Sequence, residues 1–281
     1  ASCTGGAALK RSVFLLVLHA VCGSHAVNTS RPDEPYHHAM DTGRGGFDLG
    51  QSDQAEGQYR DALKRALLRD DASAIHDSGF NLATVLLDQD KPQESLESLK
   101  STREALEIRN YPHTQDLSLV QAADLYRMHD YAGAMQAVQA PLSSVDVALR
   151  ERAVYLNGLS AAETGNEGVL ASMASNLGAS KDTATQTDYQ ELDAHLALLR
   201  HDPAHAMASA ALVVQKRRAG LDYGGMRRAL LLEAQAADAS GEPTQAVALR
   251  KQEADSRSSL QAPIRSSEPL IDGSASDKTE K

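Results

Sequence analysis

The stretch FNLATVLLDQDKPQESLESL, residues 80–99, contains two segments of helical composition separated by a polar turn. The first segment carries a small residue, Ala83, and the second carries another, Ser95, with bulky residues between them. Small side chains let two packed helices approach closely, so their positions within each segment matter. The stretch therefore predicts a helix-turn-helix unit.

The same pattern recurs along the chain. Aligning the later segments on this unit gives five corresponding turn positions, which are Asp90, His129, Gly165, His201 and Gly241. Successive positions are separated by 39, 36, 36 and 40 residues, with two helical runs in each unit. A period of this length with two helices per unit is typical of a helical-repeat solenoid.

The turn RHDPAH, residues 200–205, could be a capping sequence or a small metal site. Asp202 is suited to cap the following helix, because its side-chain oxygen can accept hydrogen bonds from exposed backbone N–H groups. Pro203 suits the first helical position, where no donor is needed. A metal site would need His201, His205 and a third ligand, and the aligned earlier turn has Gly133 in place of His205. The pattern therefore favours capping, and we predict no metal ligand here.

The units resemble the tetratricopeptide repeat family, which has a small residue late in its first helix and another early in its second. The first position holds Ala83, Ala122, Gly158, Ala194 and Ala234, and the second holds Ser95, Ala134, Leu170, Ala206 and Ala246. Upstream, Ala55, Tyr59 and Ala62 resemble a second helix without its partner. The resemblance covers about Ala55 to Glu253 and implies an all-α, right-handed superhelical solenoid.

In such a solenoid the first helices line a long concave surface, which in this family commonly binds an extended peptide or a partner's helix. The alignment places in this groove Phe80, Thr84, Asp88, Leu119, Ala123, Arg127, Tyr155, Leu159, Glu163, Glu191, His195, Leu199, Leu231 and Gln235. These residues lack the regular Lys/Arg/Asn set with which cochaperone members bind a terminal carboxylate. The resemblance thus implies a protein or peptide partner of a different kind.

The N-terminal residues have the pattern of an export signal. Lys10 and Arg11 precede the apolar run VFLLVLHAVC, and Ser24 and Ala26 then provide small residues for cleavage. The run is too short to span a bilayer. We expect residues 1–26 to be a signal peptide and the protein to be periplasmic or secreted. Cys22 leaves open the alternative that the protein is an outer-membrane lipoprotein, although Val21 stands where a small residue is expected before a lipidated Cys.

The remaining segments are polar. Residues 27–54 lack helical periodicity and predict a flexible linker, residues 55–262 form the predicted repeat domain, and residues 263–281 predict a disordered tail. His37, His38 and Asp41 in the linker could hold a metal ion, but such clusters are more often solvated. The glycines of TGRGGFDLG lack the flanking strand and Lys-Ser/Thr of a phosphate loop.

Composition restricts the functional classes. The formal net charge is −10 and no Lys/Arg run forms a basic stripe, so we expect no nucleic-acid partner. No Ser, Cys or Lys lies in a recognisable nucleophile motif, and we predict neither catalysis nor a cofactor. The sequence therefore predicts a non-catalytic adaptor of the bacterial cell envelope. Two alternatives stay open: a structural subunit of a membrane-associated assembly, and a small metal-dependent hydrolase.

Overall fold

The computed structural model describes residues 33–261, and all the regular secondary structure in this range is helical. The helices are α1 (Glu34–Asp48), α2 (Ser52–Leu68), α3 (Ala72–Asp88), α4 (Pro92–Ile108), α5 (Gln115–Arg127), α6 (Tyr131–Ala137), α7 (Gln139–Leu142), α8 (Val147–Glu163), α9 (Glu167–Gly178), α10 (Thr183–Leu199), α11 (Pro203–Ala219), α12 (Tyr223–Ala239) and α13 (Pro243–Gln261). Consecutive helices pack on one another along the chain. The prediction of an all-α repeat solenoid is confirmed.

Every predicted turn position has left-handed backbone geometry. The φ angles are 61° at Asp90, 62° at His129, 68° at Gly165, 59° at His201 and 77° at Gly241. A left-handed residue after a helix directs the next N–H groups back to the last carbonyls of that helix. At His201, the N–H of Asp202 donates to the Ala197 carbonyl at 2.9 Å. The repeat period deduced from the turns is therefore correct.

Acidic or amide side chains cap three of the second helices, α6, α9 and α11, as predicted for Asp202. Asp202 Oδ1 accepts from the His205 N–H at 3.1 Å, and Asp130 Oδ1 accepts from the Gly133 N–H at 2.9 Å. Asn166 Oδ1 accepts from the Val169 N–H at 3.2 Å. Each contact satisfies a donor that the first turn of a helix leaves without an intrahelical acceptor.

The small-residue positions lie in the interfaces between helices. The fully buried members are Ala83, Ala122, Ala194 and Ala234 in the first helices and Ser95, Ala134, Leu170, Ala206 and Ala246 in the second helices. Gly158 is also buried, and a Cβ added there would lie 2.5 Å from Leu192 Cδ1. Close helix approach thus depends on these positions, as the spacing predicted.

The prediction of a flexible linker at 27–54 is wrong for residues 34–48, which form α1, and for residues 52–54, which begin α2. Asp33 caps α1 by accepting from the Tyr36 N–H at 3.2 Å, and its carboxylate pairs with Arg65 of α2 at 2.9 Å. Gly43 lies so close to α2 that an added Cβ would be 2.8 Å from Tyr59 Cε1. Three glycines weaken the intrinsic helix propensity of this segment, so packing on α2 stabilises it. The helix resembling a lone second helix therefore has a partner.

The first helices form one layer. Besides packing on their own second helices, α3 contacts α5, α5 contacts α8, α8 contacts α10, and α10 contacts α12. The layer is irregular at the second unit, where the second helix is divided into α6 and α7 at Val138. No helix within residues 33–261 combines the length and apolar character needed to cross a membrane. The predicted signal peptide with Cys3 and Cys22, residues 27–32 and the predicted tail lie outside the described residues.

Candidate partner-binding groove

The candidate groove is the face of α3, α5, α8, α10 and α12 that carries the predicted site residues. Four of these residues are exposed, namely Asp88, Glu163, Leu231 and Gln235. Partly exposed are Phe80, Thr84, Leu119, Arg127, His195 and Leu199. These side chains form a mixed apolar and charged strip that a partner can reach.

Four predicted groove residues are not accessible. Tyr155, Leu159 and Glu191 are each only 1% exposed, and Ala123 is also buried. Their prediction as surface residues of the groove is wrong, because side chains of neighbouring helices cover them. Tyr155 and Leu159 belong to an apolar cluster with Leu170, Leu177 and Leu192.

Tyr155 and Glu191 instead belong to a buried network of charges. Arg217 of α11 donates to Glu191 at 2.9 Å, to Asp188 at 2.5 Å and to Asp222 at 3.0 Å. Arg228 of α12 donates to Glu191 at 3.3 Å and to the Tyr155 hydroxyl at 2.9 Å. Burial alone would raise the pKa of Glu191, but Arg228 and Arg217 lower it to about 2. Glu191 is therefore ionised and satisfied by these contacts, which connect α8, α10, α11 and α12.

His195 lies one helical turn after Glu191 on α10. Burial lowers the pKa of His195, and this effect outweighs the opposite influence of Glu191 and Glu163. The imidazole is thus neutral at neutral pH and contributes no positive charge to the groove.

A group of aromatic residues beside Glu163 was missed by the sequence analysis. The Tyr126 hydroxyl lies 3.5 Å from Glu163 Oε1. The Tyr126 and Tyr131 rings contact edge to face, with centroids 5.5 Å apart. The Tyr131 hydroxyl also lies 2.7 Å from Nδ1 of His129. One signal was available in the sequence: Glu163 occupies the same repeat position as Arg127, next to Tyr126, so the alignment places Tyr126 and Glu163 near each other on adjacent first helices.

The side chains that the sequence offers as possible metal ligands do not converge. His201 and His205 are exposed, and His205 contacts Asp193 at 2.7 Å. His37, His38 and Asp41 are exposed on α1, where Asp41 pairs with Arg44 at 3.5 Å. Within the described part of the chain, no group of three or more His, Cys, Asp or Glu residues has the arrangement of a metal site.

The comparisons with known proteins give a structural likeness. No protein-family model matches the sequence, and no curated protein matches it. A crystal structure of a tetratricopeptide repeat protein from Parabacteroides merdae ATCC 43184 is similar to this chain, with a TM-score of 0.51 and 15% identity over 81% of this chain and 96% of that chain. The crystal structure of MamA protein matches with a TM-score of 0.31 and 15% identity, over 81% of this chain and 94% of that chain. Together with the repeat geometry, the first likeness shows that this chain has the helical-repeat fold of tetratricopeptide repeat proteins.

Proposed function

We propose that the chain is a non-catalytic protein-interaction scaffold that binds a peptide segment or a helix of a partner along the first-helix groove. The observation that carries this proposal is the continuous first-helix layer, in which α3, α5, α8, α10 and α12 contact one another. In repeat solenoids such a layer provides an extended binding surface. The accessible residues Phe80, Leu119 and Leu231 supply apolar area for a partner.

The absence of catalysis is part of the proposal. Residues with strongly shifted pKa values often mark catalytic sites, and here His76, Asp124 and Glu191 have such values. All three lie buried between packed helices and contact neighbouring side chains. Their environments support structural roles.

Two leucines on adjacent helices allow a matched test of the groove. Leu231 on first helix α12 is 37% exposed, and Leu212 on second helix α11 is 40% exposed. Random peptides displayed on phage are selected on the full chain, and the dissociation constants of recovered peptides are measured by fluorescence anisotropy. We expect Leu231→Asp to weaken binding at least about tenfold, because a charge replaces an apolar contact, and Leu212→Asp to leave it unchanged. Equal effects of the two substitutions, or a loss with Leu212→Asp alone, would contradict groove binding.

We further propose that the protein works in the cell envelope, periplasmic or secreted. This proposal is supported by the export-signal pattern between Lys10 and Ala26. N-terminal sequencing of the natively expressed protein tests it, and a mature N-terminus near Val27 is expected. An intact leader on protein from the cytoplasmic fraction would contradict it, and a lipid-modified Cys22 would place the protein on a membrane surface.

A further inference from the structure

The carboxylate of Glu163 stands at the accessible end of α8, among aromatic side chains. The Tyr126 hydroxyl lies 3.5 Å from it, and the Tyr131 ring packs against Tyr126. The pKa values of Tyr126 and Tyr131 are both raised, mainly by burial and secondly by the negative charge of Glu163. Both phenols are therefore protonated at neutral pH, and the Tyr126 hydroxyl can donate to the carboxylate.

The cations around this carboxylate have other partners. Arg127 pairs with Asp90 at 3.2 Å, and Arg228 pairs with Glu191 at 3.3 Å. His195 is neutral because burial lowers its pKa. Among the ion pairs formed by the described residues, none includes Glu163. Glu163 thus presents an exposed negative charge in the groove that no ion pair among the described residues neutralises.

Aromatic rings beside an exposed carboxylate are suited to a basic side chain. The ring faces attract a cation through their quadrupole, and the carboxylate adds an ion pair with charge-assisted hydrogen bonds. The negative formal charge of the chain, −10, also favours the approach of a basic segment.

We propose that Glu163, Tyr126 and Tyr131 form a subsite of the groove that binds a lysine or arginine side chain of the partner peptide. This inference rests on the proposed peptide-binding function and specifies the chemistry that the peptide must carry at one position.

The test uses the peptides selected on the full chain whose binding depends on Leu231. Each Lys or Arg of such a peptide is replaced by Gln, and binding to the wild type is compared with binding to Glu163→Gln. The matched control is Glu97→Gln, because Glu97 is an exposed residue of second helix α4. Melting curves establish that both variants fold as the wild type does.

We expect Glu163→Gln to weaken binding on the order of tenfold, and Glu97→Gln to leave it unchanged. Replacing one basic peptide residue should cause the same loss on the wild type and no further loss on Glu163→Gln. Glu163→Lys should bind better to a peptide with Glu at that position. Leu231-dependent peptides that bind Glu163→Gln and the wild type equally would overturn this subsite and leave the proposed function intact. Recovery of no Leu231-dependent peptide would overturn both proposals.

Discussion

The hydroxyl of Ser95 and the carboxyl of Asp124 are 2.8 Å apart, Oγ to Oδ2, at a fully buried contact between α4 and α5. The same hydroxyl lies 3.0 Å from the Ala83 carbonyl oxygen. A serine has one proton to donate, so both contacts are hydrogen bonds only when Asp124 is protonated and donates to Ser95. Burial raises the pKa of Asp124 to about 8, against the opposing influence of Ser95 and Arg127. The geometry and the pKa both indicate a neutral carboxyl at neutral pH.

Asp124→Asn should therefore stabilise the protein at neutral pH. The pKa of Asp124 is raised in the folded state, so the unfolded state releases this proton at lower pH and stability is lost as pH rises from about 4 to about 8. The free energy of unfolding falls by up to about 1.4 kcal/mol for each pH unit in this range. The side-chain amide of Asn does not ionise, so the variant does not show this loss. Urea denaturation at pH 5, 7 and 8.5 measures the effect.

The control for this prediction is Asp61→Asn, which removes a carboxylate from the exposed surface of α2. It should change the free energy of unfolding by less than about 0.5 kcal/mol at each pH. A wild type and an Asp124→Asn variant with parallel pH profiles would show that Asp124 is ionised in the folded protein.

His76 provides a second pH-dependent contact, between α3 and α5. Its ring nitrogens lie 3.0 Å from both Asp77 and Asp116. Burial would lower the pKa of His76, but the hydrogen bonds to Asp116 and Asp77 raise it to about 9. The stabilisation is complete below the unfolded pKa of about 6.5 and is lost as pH rises through about 9.

Asp116→Asn should accordingly lower stability by about 1 to 2 kcal/mol at pH 6, and much less at pH 10. Thermal melts at the two pH values measure this difference. Asp193→Asn is the matched control, because it removes the partner of the exposed His205, and surface pairs contribute little. An equal loss for Asp116→Asn at pH 6 and pH 10 would contradict a charged His76.

Tyr155 should behave as a core residue. Tyr155→Ala is expected to destabilise the protein by about 3 to 5 kcal/mol, because it removes a buried aromatic ring. Tyr155→Phe removes only the hydroxyl that accepts from Arg228, and should cost about 1 kcal/mol. Urea midpoints measure both changes. An unchanged midpoint for Tyr155→Ala would show that Tyr155 is not a core residue and lies on the groove surface.

The small-residue positions should not accept larger side chains. Ala194→Leu is expected to cost about 1 to 3 kcal/mol, because the added atoms overpack a fully buried interface. Ala248→Leu makes the same change at an exposed position of α13 and should have little effect. Equal melting temperatures for the two variants would argue against close packing at Ala194.

The Asp202 cap should be worth about 1 kcal/mol. Asp202→Ala removes the acceptor of the His205 N–H, which then lacks a side-chain partner. His201→Ala changes the neighbouring exposed residue and should cost much less. Thermal melts compare the two variants, and a larger loss for His201→Ala would show that the histidine has a structural partner in solution.

The sequence determined the repeat architecture, because local features encode it. Left-handed turn residues such as His201, caps such as Asp202 and small residues such as Ala83 depend on backbone sterics and on fixed spacing within one unit. These requirements recur in each unit, so aligning the units was enough to locate the turns and interfaces.

Only the tertiary structure decided which side chains remain accessible. Tyr155 and Glu191 occupy groove positions in the alignment, yet Arg217 and Arg228 from later helices cover them. Helix α1 likewise forms although its glycines disfavour a helix, because Gly43 allows close packing on Tyr59. Burial depends on neighbours that are distant in sequence, whereas turns, caps and spacing depend on neighbours within a unit, and for this reason the fold was predictable and the accessible groove surface was not.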